Sequence, residues 1–327
     1  MIFAIRRRGL GALALAAGLP MGLRAQGAWP DRPVRLIVPF GAGGAVDTLS
    51  RTVANAFPQH ANGQPMVVEN RSGAGGTIAG GVVATSRADG YTLMMADLGA
   101  NAIGRMLQPG LGYDPLASFT PIIHLVNLPL VIVTRPGLEA RTLPELIELA
   151  RRRNGEMTYA SPGVGHASHL SAELLARRAG IRWQAVHYRS GADVMRSTIA
   201  GETDFTFPSV STSLPFIRED KVRAIAVSTA NAVPALPGVP SVAATYAGFS
   251  SATWHGVVGP AGLPADIVLA ANRALRAIIT TPAIKEQTER VQAAEIVAGT
   301  PEEFAAFIRA EAAKWEPVIR EGNIRAE

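Results

Sequence analysis

The sequence predicts an α/β protein of two lobes with mixed β-sheets flanked by helices and a hinge of two segments, on three observations. A short β-branched run feeds a Gly-rich loop that opens a helical pattern, the unit expected of βαβ architecture. That unit occurs in two separate sets along the chain. Extended stretches lie between the sets, where a chain crossing from one lobe to the other and back would run. The 327 residues suffice for two ordinary domains.

The first set begins with residues 34–39 (VRLIVP), an apolar run read as a buried strand. Gly41, Ala42, Gly43 and Gly44 follow, and Asp47 opens a helical pattern to about residue 57. Residues 66–69 form a second strand, followed by the loop 70–76 (NRSGAGG) and a helix over 77–86; residues 91–96 form a third strand. The second set repeats this order, with a strand at 157–160, the loop 161–168 (SPGVGHAS) and a helix over 169–179. Strands at 181–188, 205–207 and 223–228 complete it.

The crossings are read at 121–126 and 130–134, broken at Asn127, and at 250–258 after the Pro-rich stretch 234–240 (PALPGVP). Helices near 265–279 and 301–319 return to the first lobe. The expected division is therefore residues 26–127 plus 252–327 as one lobe and 128–251 as the other, with the binding site in the cleft between them.

Composition narrows the function. With 48% hydrophobic and 17% charged residues the chain is an ordinary globular one. Cysteine is absent, which excludes a thiol nucleophile, a thiolate metal site, disulfides and a lipid-anchored N-terminal Cys. The net charge of +5 suggests nucleic acid, but its location overturns that reading. Residues 1–25 hold four Arg and no acid, leaving 27 basic against 26 acidic residues in the rest. Nothing resembles a basic stripe interleaved with aromatics, so no nucleic-acid partner is expected. Arg6, Arg7 and Arg8, the apolar run 10–23 and Ala25 form the three regions of an export signal, cleaved after about residue 25. The apolar run is too short to span a bilayer, which needs roughly 20 residues. The mature protein is expected in the periplasm.

The Gly loops carry the chemistry. A strand that feeds such a loop and then a helix aims the helix's free N–H groups above the strand end, where the peptide dipoles add roughly half a positive charge. Gly43 and Gly44 remove the Cβ atoms that would hold a ligand oxygen off the backbone. Asp47 reads as the helix N-cap. Ser161, Gly163, Gly165 and Ser168 offer the same chemistry in the second lobe, with hydroxyls added. The two loops, with Gly43 and Gly165 facing one hollow, would clasp an organic anion without a buried Arg.

These residues resemble the periplasmic solute receptors of tripartite tricarboxylate transporters, the Bug family. The likeness covers nearly all of the mature chain and is carried by residues 29–47 (WPDRPVRLIVPFGAGGAVD), 67–76, 88–93 and 113–122. It continues through 158–170 (TYASPGVGHASHL), 234–240 and 254–264 (WHGVVGPAGLP). The resemblance implies a type II periplasmic binding fold, no catalysis, no cofactor and no metal. It further implies a monomer that captures a small carboxylate and docks on membrane permease subunits, or on a sensor protein.

It assigns ligand contacts to Phe40, Gly43, Gly44, Ala45 and Asp47, to Ser161, Gly163, Gly165 and Ser168, and to Asp97, Tyr188 and Phe207. The chain departs from the family at three places. Asp97 stands where a Ser or Thr is usual, Pro208-Ser209 where an Asp-Asn pair is frequent, and His166-Ala167 where hydroxyl residues are commoner. Asp97 either caps the next turn or faces an ammonium or hydroxyl of the ligand.

Three rival readings fail on particular residues. A dinucleotide enzyme would use the loop 41–46 with Glu69 on the ribose, but Val46 fills the third glycine position. A hydrolase lacks a G-x-S-x-G elbow. A metal site at His166, His169 and Glu173 is spoiled by His166 preceding the helix.

Overall fold

In the computed structural model, which describes Met1 and residues 29–326, β1 (Val34–Val38) lies between two parallel neighbours and is buried at four of its five positions. β2 (Met66–Asn70) pairs along one edge and β3 (Thr92–Ala96) along the other. Such a strand, covered on both faces, reads as an unbroken apolar run, which is why it was legible. The remainder of the expected leader, with its cleavage point, lies outside the described residues.

α1 (Ala45–Ala56) and α2 (Thr77–Ala84) follow β1 and β2 as the Gly loops require. After β3 a π-helical turn (Gly99–Ile103) runs into α3 (Gly104–Leu107), and β4 (Phe119–Pro129) returns across the sheet. The expected break at Asn127 does not occur. Asn127 stays in register opposite Trp254, and the strand continues to Pro129.

β5 (Val131–Thr134) opens the second sheet, joined by β6 (Thr158–Ser161), β7 (Gln184–His187), β8 (Phe205–Thr206) and β9 (Arg223–Val227) in the order β7-β6-β8-β5-β9. Its helices are α4 (Leu143–Arg152), α5 (Ala167–Ala179), α6 (Gly191–Ala200) and α7 (Val210–Arg218). β10 (Ala252–Pro260) then re-enters the first sheet, antiparallel to both β3 and β4. α8 (Ala265–Thr280), α9 (Pro282–Gln292), β11 (Glu295–Ile296) and α10 (Pro301–Glu321) finish the chain. The first sheet reads β11-β4-β10-β3-β1-β2. Both sheets are mixed, because β5 and β10 are laid antiparallel by the crossings.

Two packing relations fix the site. α1 through Leu49 and Val53, Phe57 just after it, and α8 through Leu275 and Ile278 cover one face of the first sheet, all five side chains fully buried; each such side chain contributes about 1.5–3 kcal/mol. α10 covers the other face, and its apolar stripe (Phe304, Ile308, Trp315) belongs to a cluster that continues into Tyr159 and Leu170 of the second half. The crossing segments are tied by Ser228. Its hydroxyl donates to the Ser251 carbonyl at 2.7 Å and accepts from the Leu130 amide at 3.1 Å. Among the described residues no single helix is long and apolar enough to cross a membrane.

Candidate functional site

Four helices begin at one place. The N-terminal residues of α1 (Gly44, Ala45), α5 (His166, Ser168), α6 (Ser190, Gly191) and α7 (Ser209, Thr212) all stand on the wall of a cavity of about 70 Å³ between the two halves. β10 supplies Thr253 and His255 to the same wall, and Phe40 and Pro162 enter from the two Gly loops. Among the described residues no Asp, Glu, Lys or Arg lines it. The converging dipoles, each roughly half a positive charge, therefore set the sign of the potential, which favours an anion.

Each loop is held by its own network. α1 starts at Gly44 without a side-chain cap. Asp47, expected as the N-cap, sits instead in the first helical turn and is 3% exposed. Its carboxylate reaches back to the Gly43 amide (3.0 Å), meets Arg51 at 3.0 Å through each oxygen and accepts from Asn70 Nδ2 at 2.9 Å. Asn70 Nδ2 also donates to the Phe40 carbonyl at 2.9 Å. Burial alone would raise the Asp47 pKa, but the Arg51, Gly43 and Asn70 hydrogen bonds outweigh it and hold the carboxyl below its usual range. The correction is physical: a carboxylate this fully engaged braces the loop and has no free face for a ligand.

In the second half His166 caps α5, its Nδ1 accepting the Ser168 amide at 3.1 Å. Burial pushes its pKa down to about 4, so the ring is neutral. A nitrogen that accepts an amide proton carries none itself, so the proton sits on Nε2 as a donor. Phe40 meets His166 edge to face across the halves, centroids 5.4 Å apart. Ser190 and Ser209 cap α6 and α7, accepting the Asp193 and Thr212 amides. Burial, opposed by a hydrogen bond to the Ala96 backbone, pushes His255 down to about 3, and it too is neutral.

Of the residues expected at the site, the structure brings Phe40, Gly44, Ala45 and Ser168 to this cavity. The others lie elsewhere. Gly43, φ +86°, opens on a neighbouring groove beside Thr48 and Met195. Gly165 is turned against Leu107 and Ile103 of the first half, and its amide donates to His169 Nδ1 at 3.1 Å. The two glycines expected to face one hollow therefore do not; their neighbours Gly44 and Ser168 do. Ser161 spends its hydroxyl on Gly163. Gly163 and Tyr188 border a broader cleft of about 790 Å³, which also receives Arg189 and Arg325.

Asp97 is 4% exposed and accepts the Gly99 and Ala100 amides, so it caps the turn that follows. Burial outweighs those two bonds and raises its pKa to about 7. Phe207 is fully buried beside Phe205, while Pro208 and Ser209 after it reach the cavity.

Sequence reasoning missed Ser190, Thr212, Thr253 and His255 as cavity residues. Ser190 carried a usable signal, since Ser followed three residues later by Asp marks a helix start. Thr253 and His255 carried none, because a strand residue's facing depends on a sheet that the sequence does not display. Among the described residues no group of three or more His, Asp or Glu is placed to hold a metal.

Known proteins resemble this chain over most of its length. Residues 49–324 match the family model of the tripartite tricarboxylate transporter family receptor. A protein of R. palustris solved with adipate is 34% identical with a TM-score of 0.86, the match covering 91% of this chain and 99% of that one. The periplasmic binding protein BugD is 30% identical with a TM-score of 0.84, over 91% of this chain and 100% of its own. MatC of Rhodopseudomonas palustris, solved with malate, is 28% identical with a TM-score of 0.83, over 89% and 100%.

Proposed function

The chain belongs to the tripartite tricarboxylate transporter receptor family, whose members are periplasmic solute-binding proteins, and from that premise we propose that it captures a small carboxylate in the cavity between its halves. One observation carries the reading: four helix N-termini meet on a wall that, among the described residues, holds no charged side chain. The free first-turn amides of the helices and the Nε2–H of His166 are the donors, since the Ser168 hydroxyl gives its proton to His166 Nδ1, that of Ser190 to Asp193, and that of Ser209 is shared with Ser211 and Thr212. Hydrogen bonds to a charged group contribute about 1.5–3 kcal/mol each. Micromolar binding needs roughly 8 kcal/mol, so three to five of them, less the ordering costs, suffice. Adipate and malate in the two related structures are ligands of this class.

The lobes follow the expected division, 26–127 with 252–327 and 128–251, with the first boundary moved to Pro129, where β4 leaves the first sheet. They open and close about the segments tied by Ser228, and the anion favours the closed form. The protein acts as a receptor and not as an enzyme. It is exported by its leader, works as a single chain and presents its closed surface to the permease subunits of a tripartite transporter. A thermal-shift screen of residues 26–327 against mono-, di- and tricarboxylates tests this. Stabilisation by one structural class of acid is expected. Stabilisation by NAD or a divalent metal alone, with none by any acid, would overturn it.

A further inference from the structure

β10 places on the cavity wall two side chains that each keep one polar atom without a partner among the described residues. Thr253 and His255 stand two residues apart and therefore on one face of the strand, while Trp254 between them packs on Phe304 and Phe307. Thr253 is 9% exposed and His255 3%, and both Thr253 Oγ1 and His255 Nδ1 are buried without a hydrogen-bond partner. A buried polar atom left unpaired costs about 1–3 kcal/mol, so the pair is arranged for something that enters.

The chemistry of that group follows from the protons. A neutral imidazole owns one N–H and one lone pair. The ring of His255 is hydrogen-bonded to the backbone of Ala96, a contact that favours its protonated form, so a carbonyl takes its single proton. The lone pair remains, and a lone pair repels a carboxylate oxygen. It needs a donor. An ammonium would donate, but no acid lines the cavity to neutralise it, and a buried unpaired cation is costly. A hydroxyl meets every condition: it donates to His255, and its oxygen accepts from the Thr253 hydroxyl.

We propose that Thr253 and His255 read a hydroxyl group, so that the ligand is a hydroxy-substituted carboxylate whose acid group lies at the helix N-termini. This rests on the carboxylate reading above and deepens it. His166 and His255 then divide the work, one ring offering its proton to the anion and the other its lone pair to the hydroxyl.

The test is isothermal titration of residues 26–327 with matched trios: propionate, lactate and alanine; succinate, malate and aspartate; adipate, 2-hydroxyadipate and 2-aminoadipate. In the trio that binds best, the hydroxy acid should exceed its unsubstituted partner by about tenfold or more, the range expected when a buried acceptor loses its donor. In His255→Phe that ratio should fall to about one, and His255→Gln, which keeps an acceptor, should retain most of it. Thr253→Val, nearly the same shape, should lower the ratio as well and serves if His255→Phe does not fold. An unsubstituted or amino acid binding tightest to the unaltered protein, or a preference that survives both His255→Phe and Thr253→Val, would overturn the proposal. If none of the nine acids binds while tricarballylate binds more tightly than citrate, or benzoate more tightly than salicylate, the hydroxyl reader is wrong and the carboxylate reading stands; if no acid of any kind binds, both fall.

Discussion

Asp47 and Arg51 meet at two points, one turn apart on α1, with each carboxylate oxygen 3.0 Å from a guanidinium nitrogen. The pair spends the negative charge of Asp47 beside the ligand cavity without letting it face the cavity. Arg51 is half exposed, so the ion pair itself adds little stability. What matters is the brace it completes, which joins Gly43, Asn70 and, through Asn70, the carbonyl of Phe40.

Asp47→Ala should therefore loosen the first loop and weaken carboxylate binding by about tenfold, roughly 1.4 kcal/mol. Calorimetry checks this. Asp47→Asn, which keeps the shape and one acceptor, should lose less. Unaltered affinity in Asp47→Ala would remove the loop from the site.

Ser168→Ala removes a hydroxyl from the cavity wall together with its 3.0 Å hydrogen bond to His166 Nδ1, and leaves the backbone cap of α5, since the Ser168 amide still donates to His166. A loss of about 1 kcal/mol or more in ligand affinity is expected, with melting temperature little changed. A thermal shift with ligand equal to that of the unaltered protein would argue against a contact from this helix.

Gly165→Ala addresses closure. Gly165 holds φ at +78°, where an alanine is strained, and an added Cβ would overlap Leu107 Cδ1 of the opposite half. The variant should resist closing: ligand-induced compaction in small-angle scattering should shrink or vanish, and affinity should fall in step. Normal compaction would mean that the halves meet elsewhere.

Stability should fall on acidification. Burial pushes His124 and His166 down to about 4 and His169 and His255 down to about 3, below the roughly 6.5 of an unfolded chain. Below pH 6.5 or so the unfolded state takes up protons that the folded state refuses, so folding weakens until the folded pKa values are reached. Asp97, raised to about 7, works in the opposite sense. Its folded form keeps a proton that the unfolded chain has lost, and its contribution fades as pH rises toward 7. His187, pushed down by burial, joins the four, and Glu173, raised by burial, joins Asp97; five buried groups oppose two, so the melting temperature should drop between about pH 6.5 and pH 4. A flat or rising profile would contradict the buried neutral imidazoles.

How much of this the chain displays in advance depends on the range of the interaction. The strand–loop–helix units at β1–α1 and β6–α5 are local, set by an apolar run and a Gly-rich loop, and they stand where the sequence places them. Helix starts shift by a few residues, to Ala45 and Ala167, because the capping contacts that set them are made in three dimensions. The continuation of β4 through Asn127 needs β10 opposite it, more than a hundred residues later. The same holds for the cavity. Gly44 and Ser168 are where the motifs point, whereas Gly43 and Gly165 turn away by the positive φ that made them glycines. Thr253 and His255 become site residues only because a crossing strand passes beneath four helix ends.

The position of the ligand's acid group decides between the small cavity and the broader cleft. A crystal structure of the protein with its tightest-binding carboxylate tests that directly. The account predicts the carboxylate within hydrogen-bond distance of the first-turn amides of α1 and of His166 or Ser168 on α5, with no cationic side chain in contact. A carboxylate paired instead with Arg189 or Arg325 in the broader cleft would contradict it.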